Sequence, residues 1–263
     1  MAGLDLKLED EVLIQRIKEG ALIESWSETT MRFREMATGI ILTLADSELA
    51  GASGFASMVN KAPTLDSRLE LVSMMGSKMA MAKDAYAILS GLGLNTEKYF
   101  SIHSFDSRIL RSTQLGFSRS TSDKRLNALL YPLESWADVS VLTYLLATMA
   151  CLAMDEFARS SFMPLAKYAR KALPLEKQHA AFGQACMVSL IKAKQEREVQ
   201  LALDYWYERV ATSAGPPRSQ RNELHRHFGL KQSQNQEIGA VWQEQVQAFC
   251  QEHGLTLPAQ VAV

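Results

Sequence analysis

Apolar residues recur every three or four positions along nearly the whole chain, and no run alternates apolar with polar residues between turn signals. The spacing predicts an all-α fold. A first pair of segments covers about Glu11 to Val59, better defined from Thr30 onward, and Lys61-Ala62-Pro63-Thr64 breaks it. Thr64 is a plausible N-cap for a helix running to Ser90, where Gly91-Leu92-Gly93 stops it. Residues 94 to 131 carry no strong period and read as one long, Ser- and Arg-rich loop, the kind that tends to be functional. Ser135-Trp136-Ala137-Asp138 fits a capping box for an apolar helix to about Phe157. Further helices follow from Met163 to Lys192, Glu196 to Thr212, Ser219 to Phe228 and Asn235 to His253, with Gly254 as the last cap. With no repeat, low-complexity tract or linker, residues 1–263 read as one helical domain of about seven helices, the first 30 forming an N-terminal extension.

Composition narrows the function classes. Twenty-eight Lys and Arg against 29 Asp and Glu leave a net charge of -1, so no basic excess is available for a run of phosphates, and nucleic acid is not an expected partner. The three cysteines, Cys151, Cys186 and Cys250, are an odd, widely spaced set, neither a disulfide framework nor a zinc knuckle. The most apolar stretch, Val139 to Met154, falls short of the ~20 residues that span a bilayer, and the N-terminus lacks the apolar core of a signal peptide. A soluble cytoplasmic protein is the expectation.

Four ionisable residues break the apolar stripes. Glu48 has Ile41, Leu44, Ala45, Gly51, Ala52 and Phe55 as its helical neighbours, and Lys78 has Leu71, Met74, Met75, Met81, Ala82 and Ala85. Glu176 and His179 stand at i and i+3 on a face of Ala169, Ala172, Leu175, Ala180, Phe182, Gly183 and Cys186. Ionisable groups are almost never fully buried unless paired, so these four are expected to meet, with Lys78 in salt-bridge reach of Glu48 or Glu176. Glu-x-x-His at i, i+3 is also half of the helix-pair signature of four-helix carboxylate sites.

At these residues the chain resembles the ferritin-like oxygenase family of phenylacetyl-CoA monooxygenase (the ring 1,2-epoxidase), its catalytic subunit more than the structural sister subunit. Three stretches carry the resemblance: Asp46-Ser47-Glu48 with Ala62-Pro63-Thr64-Leu65 beyond; Tyr131-Pro132 before Ser135-Trp136-Ala137-Asp138; and Asn235-Gln236-Glu237 leading to Gly254-Leu255-Thr256-Leu257-Pro258. It covers about residue 30 to the end. The resemblance implies a ferritin-like four-helix bundle with additional helices, and a diiron centre that activates dioxygen to epoxidise an aryl-acetyl-CoA, in a complex fed by a reductase. Glu48 matches the single Glu of the first core helix, and Glu176 with His179 the Glu-x-x-His of the fourth. The remaining ligand positions fall on Lys78, Met81 and Ala147, and neither a thioether nor a methyl group replaces imidazole or carboxylate for iron. Pro174, two residues before Glu176, also removes a helical hydrogen bond there.

With half of the implied ligand set gone, the expectation is a degenerate, metal-free site, with a single weakly bound iron as the alternative. The family is one of oxidoreductases, but whether this chain is an enzyme stays open. One reading is a non-diiron subunit or partner in a multicomponent oxygenase-type complex, assembled as a homo-oligomer or with a ferritin-like sister subunit. The alternative is a repurposed enzyme acting on an acyl-thioester, such as a CoA-thioester, or on an aromatic small molecule with Lys78, Glu176, His179 and Glu48. Tyr205-Trp206-Tyr207 give the helix from Glu196 more aromatic surface than one core-facing stripe needs, so that face, with residues 95 to 130, is expected beneath a second chain. Met74, Met75, Met79 and Met81 read as core or pocket lining, and His225 and His227 as solvent-exposed. Arg108, Arg111, Arg119, Lys124 and Arg125 put five positive charges in the long loop, more in keeping with a solvated loop than with a site for CoA phosphates.

Overall fold

A computed structural model describes residues 6–118 and 123–258. Among them are nine α-helices: α1 (Leu8–Lys18), α2 (Met31–Ala56), α3 (Leu65–Ser90), α4 (Thr96–Ile102), α5 (Trp136–Ala158), α6 (Met163–Lys192), α7 (Glu196–Ala211), α8 (Gln220–His227) and α9 (Asn235–Glu252). They form no strand; one isolated parallel bridge, Ile23 with Phe162, pins the segment after α1 to the α5–α6 turn through Ile23 N–H to Ser161 O (2.8 Å) and Met163 N–H to Ile23 O (2.9 Å). The fold is all-α, in keeping with a ferritin-like bundle.

The long helices start where their caps allow. Thr30 accepts from Phe33 N–H, Thr64 from Ser67 N–H, and Ser135 from Asp138 N–H, each satisfying a first-turn donor that would otherwise lack a partner. The bundle core is α2 packed along α3 and α5 along α6, with α3 against α6. One apolar cluster gathers Phe33, Phe162 and Phe228 in edge-on contacts, and a second surrounds Trp206 and Trp242. α6 runs unbroken through Pro174.

Three expectations need correction. The loop from 94 to 131 contains α4, capped by Asn95, and its end is buried from Asn127 to Leu130. α7 does not display its aromatics: Trp206 is fully buried, its Nε1–H donating to Asp138 Oδ1 (2.8 Å), and Tyr207 stacks on Trp242 at 5.0 Å between centroids. The surplus of aromatic surface is used because α7 is covered by this chain's own α5 and by Trp242 of α9. α5, at 23 residues, has the length and apolar composition of a membrane span, which the shorter Val139 to Met154 window understated; most of it is buried inside the bundle.

Candidate functional site

Asp46-Ser47-Glu48 of α2 divides its work. Asp46 is fully buried and accepts from Tyr86 OH (2.6 Å), Tyr99 OH (2.8 Å) and Lys124 N–H (2.6 Å), while Ser47 Oγ accepts from Leu126 N–H (3.0 Å). Burial raises the Asp46 pKa against those three hydrogen bonds. The two residues thus strap segment 124–126 across α2, where Lys124 and Leu126 close one side of a cavity of about 510 Å³. The third residue, Glu48, faces that cavity.

Opposite Glu48, α3 presents Lys78. Its Nζ donates to Glu48 Oε2 (3.0 Å) and to Glu176 Oε1 of α6 (3.4 Å), so one buried ammonium bridges two buried carboxyls on separate helices. His179 Nδ1 lies 3.4 Å from the same Glu176 Oε1, outside hydrogen-bond geometry. Its Nε2 is 2.9 Å from Ser77 Oγ, and Ser77 donates its proton to Met74 O (2.8 Å). That leaves the serine oxygen to accept, which assigns the proton to Nε2 by its partners. The four residues expected to meet do meet, with Lys78 at the centre.

Charge explains the order of protonation. Burial pushes Glu48 up to about 7, against the pull of Lys78 and helped by repulsion from Glu176. Burial acts the same way on Glu176, but the Lys78 ammonium outweighs it and holds that carboxyl well below its ordinary value. Lys78 is raised despite burial, because both carboxylates favour its charged form. Of the two carboxyls, Glu48 is therefore the one that takes a proton first.

The cavity lies between α2 and α5, and Ala147, Leu146, Met149 and Ala150 of α5 form its apolar wall opposite Glu48. Ala147 and Met81 are two of the positions where the resemblance implies metal ligands, and Lys78 puts its ammonium between the carboxylates of Glu48 and Glu176. Among the described residues no group of three or more His, Cys, Asp or Glu is placed to hold a metal ion. The donor set does not fit a diiron pair.

Several groups in or beside the site escaped the sequence reading. Tyr168 OH is buried without a hydrogen-bond partner, and its pKa is raised well above the ordinary value by burial and by Glu48 and Glu176. It lies eight residues before Glu176 on the same buried stripe, one position beyond the three, four and seven used to find the others. Thr143 Oγ1 is likewise buried without a partner and lines the cavity. His225, expected in solvent, lines the far end of the cavity because α8 packs on α2.

The loop cations are mostly spent on structure. Arg111 binds Asp138 (2.9 and 3.3 Å) and stacks on Tyr205 at 3.7 Å; Arg125 is buried against Asp123 (2.6 Å); Arg108 donates to the carbonyls of Ala50, Phe105 and Ser107. Of the four that are described, Lys124 alone lines the cavity; Arg119 lies outside the described residues. Of the four methionines of α3, Met74 and Met81 are core and Met79 points outward.

No curated protein matches the sequence significantly. The family model described as phenylacetic acid catabolic protein matches residues 15–263, reaching further toward the N-terminus than the motifs did. A match over nearly the whole chain settles its kinship: the chain belongs to the phenylacetic acid catabolic protein family.

Proposed function

We propose that this chain is a family member that works without a diiron pair and uses the cavity between α2 and α5 to hold an acyl or aromatic ligand, in the cytoplasm. The observation that carries this reading is the cavity of about 510 Å³, mostly apolar and ending on the Glu48–Lys78–Glu176–His179 cluster. A purely structural subunit gains nothing from an open pocket that ends on buried charges, since well-packed apolar residues replace such charges at little or no cost. Pockets of a few hundred Å³ with few convergent polar groups are where small ligands bind.

In this reading Glu48 takes and returns the proton, because a carboxyl that titrates near neutral pH is the best matched to do so. Glu176 stays ionised and fixes Lys78, and Lys78 orients a carbonyl or stabilises an anion developing on it. Purified protein loaded anaerobically with iron is expected to retain less than one equivalent per chain, while metal-stripped protein binds phenylacetyl-CoA or phenylacetate with a heat measurable by titration calorimetry. About two equivalents of tightly held iron would overturn the metal-free reading, and no binding of either ligand would remove the pocket reading.

A second reading, a subunit in a larger assembly, is favoured by the outer face of α3. Leu65, Leu69, Val72 and Met79 are exposed there, with Gly76 completing spacings of four, three, four and three residues, the pattern of a helix–helix seam. The expected partner is a second copy or a ferritin-like sister subunit. Light scattering at high micromolar concentration should give twice the chain mass, and Val72→Glu should return it to the monomer; a strict monomer with no sister chain recovered from the host would remove this reading.

A further inference from the structure

The cavity has a second polar end, far from Lys78. Arg221 and His225 of α8, Lys231 just beyond it, and Ser213 in the turn after α7 all line it. Arg221 lays its guanidinium across Gly39 of α2, where any Cβ would collide with it, so the glycine is what lets the arginine lie flat on the helix. Among the described residues Arg221, His225 and Lys231 form no ion pair; Lys231 Nζ reaches only Asn235 Oδ1 at 3.4 Å and the Phe157 ring at 5.9 Å. His225 Nε2 and Ser213 Oγ are buried with no hydrogen-bond partner. The nearest acid acting on Lys231, Glu156, is already engaged by Arg159, Ser233 and Gln232 N–H.

Lys231 is a half-buried cation without an ion-pair partner, beside the unpartnered buried atoms of His225 and Ser213, and an anion with several acceptor oxygens satisfies all three while the exposed Arg221 adds a charge at the rim. We infer that this end of the cavity is a binding site for the carboxylate of an elongated, apolar-bodied monocarboxylate, held by Arg221, Lys231, His225 and Ser213, with the body of the ligand running along α2 toward Lys78. Burial together with Lys231 and Arg221 pushes His225 down to about 3, and burial lowers Lys231 against the pull of Glu156, so an anionic head would favour the charged form of both.

Geometry sets the length and the kind of head. Gly39 and Glu48 are nine residues apart on one helix, about 13 Å at 1.5 Å per residue. A zigzag of C–C bonds near 1.5 Å covers that distance with roughly ten carbons. A volume of about 510 Å³ shared between such a body and its head leaves room for a compact carboxylate rather than a nucleotide.

The inference rests on the pocket reading above, and calorimetric titration of the full chain with decanoate, decanamide and decanoyl-CoA separates the two. Decanoate is expected to bind about tenfold or more tighter than decanamide, and Arg221→Ala and Lys231→Met are each expected to erase most of that preference by weakening decanoate far more than decanamide. Equal binding of acid and amide would overturn the carboxylate site and leave the pocket standing. Binding of decanoyl-CoA alone, weakened by Arg221→Ala, would overturn it in favour of a phosphate head. No binding by any of the three would sink both.

Discussion

Lys78→Met is expected to destabilise the fold by about 3 to 5 kcal/mol, the typical cost of removing one partner from a buried ion pair. Among the described residues Lys78 alone bridges Glu48 on α2 with Glu176 on α6 (3.0 and 3.4 Å), and without it the two buried carboxyls lose the ammonium between them. The cost should depend on pH. Deprived of the ammonium, both carboxyls titrate above the 4.5 of an unfolded glutamate, so the folded chain keeps protons that the unfolded chain has released. Stability of the variant therefore falls as pH rises above 4.5, and the loss against the parent is larger at pH 8 than at pH 5. Chemical denaturation at the two pH values measures it. Adding Glu48→Leu and Glu176→Leu should restore most of the loss, because an apolar set of similar volume needs no compensation. A melting temperature unchanged in the single variant would mean that the cluster is solvated.

That cluster was legible in the sequence because its members break stripes. An ionisable residue with apolar neighbours at three, four and seven positions either pairs inside or does not fold, and Glu48, Lys78, Glu176 and His179 all met that condition. The capped starts at Thr30, Thr64 and Ser135 were readable for a similar local reason: each cap and its N3 partner sit within four residues of one another. Contacts made across the chain left no such signal. Arg221 crosses Gly39 from a helix 182 positions later in the sequence, and nothing near either residue marks it. His225 looked solvent-exposed because its sequence neighbours are polar, yet α8 turns it into the cavity. α7 misled in the opposite direction. A helix buried on more than one side carries more apolar surface than a one-sided stripe, the same excess an interface would need, and sequence alone does not say which of its own helices covers it.

Gly183→Ala is expected to cost about 3 kcal/mol, against the sign that local propensity gives. In an exposed helix interior, replacing glycine by alanine stabilises by up to about 1 kcal/mol. Here a Cβ would fall 2.9 Å from Tyr144 Cα, 3.0 Å from Ser140 O and closer still to Tyr144 N, all backbone of α5, so no side chain can rotate away and two 20-residue-scale helices must part instead. Overpacking of this kind costs about 1 to 3 kcal/mol, and a backbone obstacle places it at the top of that range, enough to outweigh propensity. The separation also reaches the site. Gly183 stands one turn after His179 on α6, and Tyr144 one turn before Ala147 on α5, so a wider gap at the glycine draws the cavity wall at Ala147 away from the Glu176–His179 pair. Thermal denaturation should show the loss of stability, and ligand titration of the folded variant a weaker affinity than the parent. A more stable Gly183→Ala protein would mean that α5 and α6 are not held at backbone contact, and the close approach that sets the depth of the cavity would have to be withdrawn.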